Sequence, residues 1–302
     1  MKDIKDNIDA PIFKVRGYLG CLDQGLKFAT RHVVDLARYL SPSLLYGVLF
    51  SILFVLETYF YPLPFSSYQF DASLTMIILG ACVLLALFLE SEGSFMSQLF
   101  DLLSKYSDQG AWPAYKLKDA IKSSRKFFMK SCVLLLVGIL SVAVFVLPAV
   151  LMLGWHSVYT YLILVVYLLL VFIPYVMMGW DYLLSHHHSL WSCFKRIKVV
   201  YQNIGSLYAV WIVAGLLHLL ISIIAWLPTI LLVYAHRASL YSVAMGDTTD
   251  LPAIVPVLAV LFTILSTFVS KMSTCILFFP LSYLYGSIVT KKKEQIKFEE
   301  EA

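Results

Sequence analysis

Six stretches of the chain stay apolar and almost free of charge for about the length a helix needs to cross ~30 Å of hydrocarbon at 1.5 Å per residue. They run around 44–61, 74–89, 131–153, 159–180, 206–234 and 251–289, the last interrupted once by Lys271. None has the apolar–polar alternation of a barrel strand. A backbone in lipid must also satisfy its own N–H and C=O groups, so each stretch predicts a helix. The fold class expected is all-α: a polytopic transmembrane helical bundle of about six spans.

The polar positions between these stretches set the expected orientation. Seven Lys or Arg precede the first span, seven lie between the second and third, three between the fourth and fifth, and four follow the sixth; Arg237 is alone in an alternate loop. Basic loops stay in the cytoplasm, which predicts that both termini are inside. Aromatic residues agree with that frame. Tyr59, Tyr61, Trp155, Tyr159, Trp226 and Tyr234 fall near outer ends, and Trp180, Tyr182, Tyr283 and Tyr285 near inner ones, where amphipathic rings are stable. The first span itself is expected to serve as the insertion signal, because no short charged segment with a brief apolar core precedes it.

A short pattern recurs before the odd-numbered spans: Leu, two residues, a small residue, an apolar residue, Lys. It reads Leu22, Gly25, Leu26, Lys27, then Leu117, Ala120, Ile121, Lys122, then Leu190, Cys193, Phe194, Lys195. Apolar residues recur at helical spacing in the first copy (Leu22, Leu26, Ala29, Val33) and the third (Leu190, Phe194, Ile197, Tyr201). Each copy is expected to be either an interfacial helix or an extension of the following span packed on protein. In the interfacial reading Lys27, Arg31, Lys122, Arg125, Lys195, Arg196 and Lys198 face anionic headgroups of the cytoplasmic leaflet. The span after each copy meets proline near its outer end (Pro62 and Pro64, Pro148, Pro228), where a helix stop costs little. Three parallel repeats are expected, over 22–90, 117–181 and 190–290, within one membrane domain over 1–302.

Composition reinforces the pattern. Hydrophobic residues make up 60% of the 302 positions and charged ones 14%, with a mean hydropathy of +0.80, so a soluble core could not absorb the apolar surface. A net charge of +4 does not point to nucleic acid. The five cysteines form no CxxC pair, and none falls in a segment expected outside, so neither disulfides nor a metal site follow. His186, His187 and His188 stand in a row, yet adjacent histidines diverge on a helix, and a loop leading to a Ser189 N-cap is the simpler reading. Glu90 and Glu92 read as an interfacial helix end before Gly93. The chain holds no HExxH, no glycine-rich phosphate loop and no GxSxG, so neither an enzyme nor a cofactor is expected. Within the spans the ionisable residues are Glu57, His218 and Lys271. They mark either a pathway or, more economically, an outer-face carboxylate, a hydrogen-bonded histidine and a lysine that snorkels to the inner headgroups. With Lys271 at the inner boundary, the tail 272–289 is expected to bend near Pro280 and pack on the lead-in helices.

The lead-in SLWSCFKRIKVVYQNIGSLYAVWIV and the ending PLSYLYGSIVTKKKEQ resemble those of a broad group of bacterial polytopic membrane proteins. It comprises the YciC-like and DUF975-like proteins and the membrane domain attached to some glycerophosphodiester phosphodiesterases. The likeness covers mainly residues 117–293 and implies a helical bundle of the kind found in that group, whose function is mostly unknown. It carries over no catalytic residue, since the phosphodiesterase barrel is absent. The expected role is a non-catalytic component that organises or senses the envelope or docks a protein partner the sequence does not name, the alternative being a transporter or channel for a small solute or lipid.

Overall fold

The computed structural model describes residues 12–60, 70–109, 117–154, 157–184, 189–195, 197–246, 251–252 and 254–301. It is an all-α polytopic bundle, with no strand among the described residues. The helices are α1 (Tyr18–Arg31), α2 (Val33–Tyr39), α3 (Ser41–Phe60), α4 (Phe70–Gln109), α5 (Leu117–Phe145) and α6 (Leu147–Leu153). There follow α7 (Val158–Tyr167), a π-helical turn (Leu168–Phe172), α8 (Ile173–Leu184), α9 (Leu190–Lys195), α10 (Ile197–Gln202), α11 (Ile204–Ala244) and α12 (Ile254–Glu301). Among the described residues, five helical segments are long and apolar enough to cross a membrane, and a sixth joins them if α2 and α3, bent by 74°, count as one.

Helix ends depart from the sequence expectation at Pro228 and at Gly93. Pro228, expected near a helix end, lies inside α11, and Pro280, expected at a bend, lies inside α12 without ending it. Pro148 opens α6, and Pro62 and Pro64 lie outside the described residues. A proline in a span loses one hydrogen bond, which neighbouring helices can offset without ending the helix. Glu90, Glu92 and Gly93 are likewise no helix end, because α4 continues for sixteen more residues. At Gly93 a Cβ would stand 2.8 Å from Cys132 Sγ, so this glycine serves the close approach of α4 to α5. The three lead-ins also differ in form. The first is separate, as α1 and α2; the second is continuous with its span, in α5; the third breaks into α9 and α10. At Ser189, the backbone N–H of Ser192 donates to the Ser189 hydroxyl across 3.3 Å, the expected N-cap. His186 to His188 lie outside the described residues.

The main core sits at the end of the bundle that carries the basic segments. The face of α1 formed by Cys21, Gly25, Phe28 and Ala29 is buried, and α1 packs on α12 rather than lying with that face in lipid. Gly25 makes this possible: a Cβ there would fall 2.7 Å from Pro280 Cδ and closer still to the Pro280 backbone. Phe28 then reaches Phe279 at 4.5 Å and Tyr106 at 5.0 Å between ring centroids, while Phe100, Trp180 and Phe278 form a second aromatic group at 5.1–5.3 Å. Such pairs add ~0.5–1.5 kcal/mol each beyond their burial. Burial also pushes the Cys21 thiol above its ordinary value, against the pull of Arg16.

Buried polar groups lock the same end. At the α2–α3 bend Tyr39 donates its hydroxyl to Asp101, which Lys105 also contacts at 2.7 Å, and Ser43 donates to Gln98 at 2.7 Å. Trp180 Nε1 donates to Ser282 at 3.0 Å. Away from this end the helices expose apolar faces, among them Leu151, Met152, Leu219, Leu220 and Leu231, as surfaces in contact with lipid do.

Candidate functional site

Three helices meet at one ion pair. Gly47 on α3 leaves room for the stem of Lys271 from α12: a Cβ at 47 would stand 3.2 Å from Lys271 Cε and 3.2 Å from Ser91 Oγ. The Lys271 ammonium donates to the Glu92 carboxylate of α4 and lies 5.0 Å from the centroid of the Phe95 ring. The lysine side chain is 11% exposed and the glutamate 30%. A charge this deep is stable only with a partner, so Lys271 is held inside the bundle instead of extending alone to the headgroups. Glu57 lies on α3, but its side chain is outside the described residues.

Alongside, α11 and α12 meet through hydroxyls. His218 Nδ1 is 2.7 Å from Ser273 Oγ, Ser222 lies 3.2 Å from Ser270, and Thr229 lies 3.3 Å from Ser266. Small hydrogen-bonding residues at helical spacing let two helices approach closely in lipid, each bond contributing ~0.6 kcal/mol. His218 is thus a hydrogen-bonded residue of the helix pair.

Glu92 also borders a partly open cavity of about 340 Å³ between α4, α5 and α8. Its wall is apolar, built by residues such as Phe88, Met96, Leu134, Ile139 and Trp180, with Glu92 and Ser131 among the polar exceptions. Ser131 is 2% exposed, and its hydroxyl has no hydrogen-bond partner among the described residues. Neither this hydroxyl nor the Glu92–Lys271 pair is recognisable from sequence spacing, since the two charges are 179 residues apart. One signal was legible: Phe95, Leu99, Leu102 and Tyr106 continue a helical stripe past Gly93, which moves Glu92 from a helix end to a helix interior.

The basic lead-in residues are distributed over the same end. Lys27 is exposed and paired with Asp23 at 2.7 Å, and Arg31, Arg125 and Lys198 are exposed. Lys122 and Lys195 belong to α5 and α9 with side chains outside the description, as is all of Arg196. Among the described residues no group of three His, Cys, Asp or Glu side chains is placed to hold a metal ion. No protein-family model, curated protein or solved structure matches the chain.

Proposed function

We propose that the chain is a non-catalytic, multi-pass component of a bacterial cytoplasmic membrane that docks its basic end against the anionic inner leaflet and organises the envelope there. The observation that carries this reading is the coincidence at one end of a dense aromatic core with exposed Lys27, Arg31, Arg125, Lys198 and Lys291 to Lys293. Each cation near an anionic surface contributes ~1 kcal/mol. The test compares thermal midpoints of the purified protein in phosphatidylglycerol and phosphatidylcholine nanodiscs. The midpoint is expected to be higher in the anionic lipid, and Lys27→Gln, Arg31→Gln, Arg125→Gln and Lys198→Gln together are expected to remove the difference. Equal midpoints in the two lipids overturn the reading.

A second reading, transport of a small solute or lipid, is favoured by the Glu92–Lys271 pair beside a cavity. Leaflet exchange of a fluorescent phospholipid in proteoliposomes, lost in Lys271→Gln, supports it; exchange no faster than in protein-free vesicles removes lipid movement.

A further inference from the structure

The geometry points to a lipid site: we propose that the α4–α5–α8 cavity holds the acyl chain of a neutral, hydroxyl-bearing lipid, such as a monoacylglycerol. In this site Glu92 and Ser131 receive the lipid's hydroxyl head. The inference is independent of docking at the basic end and requires binding, not transport.

Shape and access come first. The lining runs along α4 from Phe88 to Phe100, along α5 from Ser131 to Val142, and along the π turn and α8 from Phe172 to Leu183. At 1.5 Å per residue each wall is ~16–18 Å long, so the cavity is an elongated slot rather than a compact pocket. Two of its wall residues, Ile139 and Val142, are 40% and 39% exposed and alternate along α5 with the exposed Leu136, Leu140 and Val144. The slot therefore opens sideways where lipid lies, and its volume falls within the usual ligand range of ~300–1,000 Å³. A polar solute has no reason to enter by that route.

The head chemistry follows from two groups. Position 93 meets Cys132 across the α4–α5 contact, which brings Glu92 and Ser131 to a common level of the slot. Leaving a buried hydroxyl unmatched costs ~1–3 kcal/mol, although a serine in a helix ordinarily bonds a carbonyl of the preceding turn. A ligand hydroxyl that donates to one group and accepts from the other matches both. Glu92 has room for it, because a carboxylate accepts about four hydrogen bonds and Lys271 occupies one oxygen. An anionic head would face that carboxylate, so a fatty acid fits less well than an alcohol.

The experiment uses the purified protein in phosphatidylcholine nanodiscs with three photoreactive probes sharing one chain: a monoacylglycerol, the free fatty acid and the methyl ester. The monoacylglycerol is expected to label peptides within 131–142 or 172–183 several-fold more than the other two, and unlabelled monoacylglycerol to compete. Ser131→Ala should lower its labelling ~3–10-fold, the equivalent of one hydrogen bond, and leave the ester unchanged. Ile139→Trp at the exposed mouth should block all three, which keeps the test decisive if Ser131→Ala fails to fold. Labelling spread evenly over the lipid-facing surface, equal labelling by the three probes, a preference for the fatty acid, or indifference to both substitutions overturns the proposal.

Discussion

Lys271 illustrates what a single residue can and cannot disclose. Its cost in a span is legible in the sequence, and so is the need for a partner. The partner itself is not, because Glu92 comes from a helix whose end was misplaced by reading Glu90, Glu92 and Gly93 as a stop. His218 needed less: a histidine inside a span calls for a hydrogen-bond partner, and Ser273 supplies it. Removing one charge of the pair leaves the other without its counterion, whereas removing both leaves an apolar contact. Lys271→Met is therefore expected to destabilise the protein by up to ~3 kcal/mol, reduced from the fully buried case because Glu92 keeps 30% exposure. Adding Glu92→Leu should recover most of that loss. Thermal midpoints in nanodiscs check this, and additive losses in the double variant would show that the pair carries no coupling.

At the scale of the element, the turn before α8 shows how a span tolerates proline. Pro174 has no N–H to offer the carbonyl four residues back, Leu170, or the one five residues back, Leu169, which a π turn would otherwise use. Both carbonyls are met from outside: Tyr208 donates its hydroxyl to Leu169 and Tyr201 donates to Leu170, each at 2.7 Å. Two side chains from α10 and α11 thus replace one backbone donor. Tyr208→Phe and Tyr201→Phe are each expected to cost ~1 kcal/mol, the exposed Tyr201 less. In a Pro174→Ala background, where an N–H returns, their combined cost should fall by about half. An unchanged cost, measured by the same midpoints, would mean that the tyrosines act by packing. Pro174 was visible in the sequence, but the remedy was not, since it depends on which later helix lies against the turn. The lead-ins teach the same lesson. The apolar stripe of α1 was legible, yet a stripe does not say whether lipid or protein covers it, and the answer lay in Gly25 fitting against Pro280.

For the molecule as a whole, the fold class followed from hydropathy because spans must be helices in lipid, while the uneven packing between the two ends did not. The basic end buries Tyr39, Phe95, Phe100, Phe279 and Tyr283 almost completely, in the manner of a water-soluble core. The far part leaves Leu219, Leu220 and Ile223 of α11 more than half exposed, with lipid in place of protein neighbours. These two environments respond differently to truncation. At Phe279, which touches Phe28 and Phe278, alanine removes a ring from a space that can collapse only in part, at a cost of ~3–5 kcal/mol. On the outer face of α11, Leu219→Ala, Leu220→Ala and Ile223→Ala leave no cavity because lipid fills the space, so each is expected to change stability by less than ~0.5 kcal/mol. Midpoints in nanodiscs should therefore fall sharply for Phe279→Ala and barely for the three α11 variants combined. In a short-chain detergent, which covers the outer face less well than a bilayer, the wild-type midpoint should drop while the difference between Phe279→Ala and wild type persists. If the α11 variants match Phe279→Ala in nanodiscs, that face packs against protein, and its assignment to lipid is wrong.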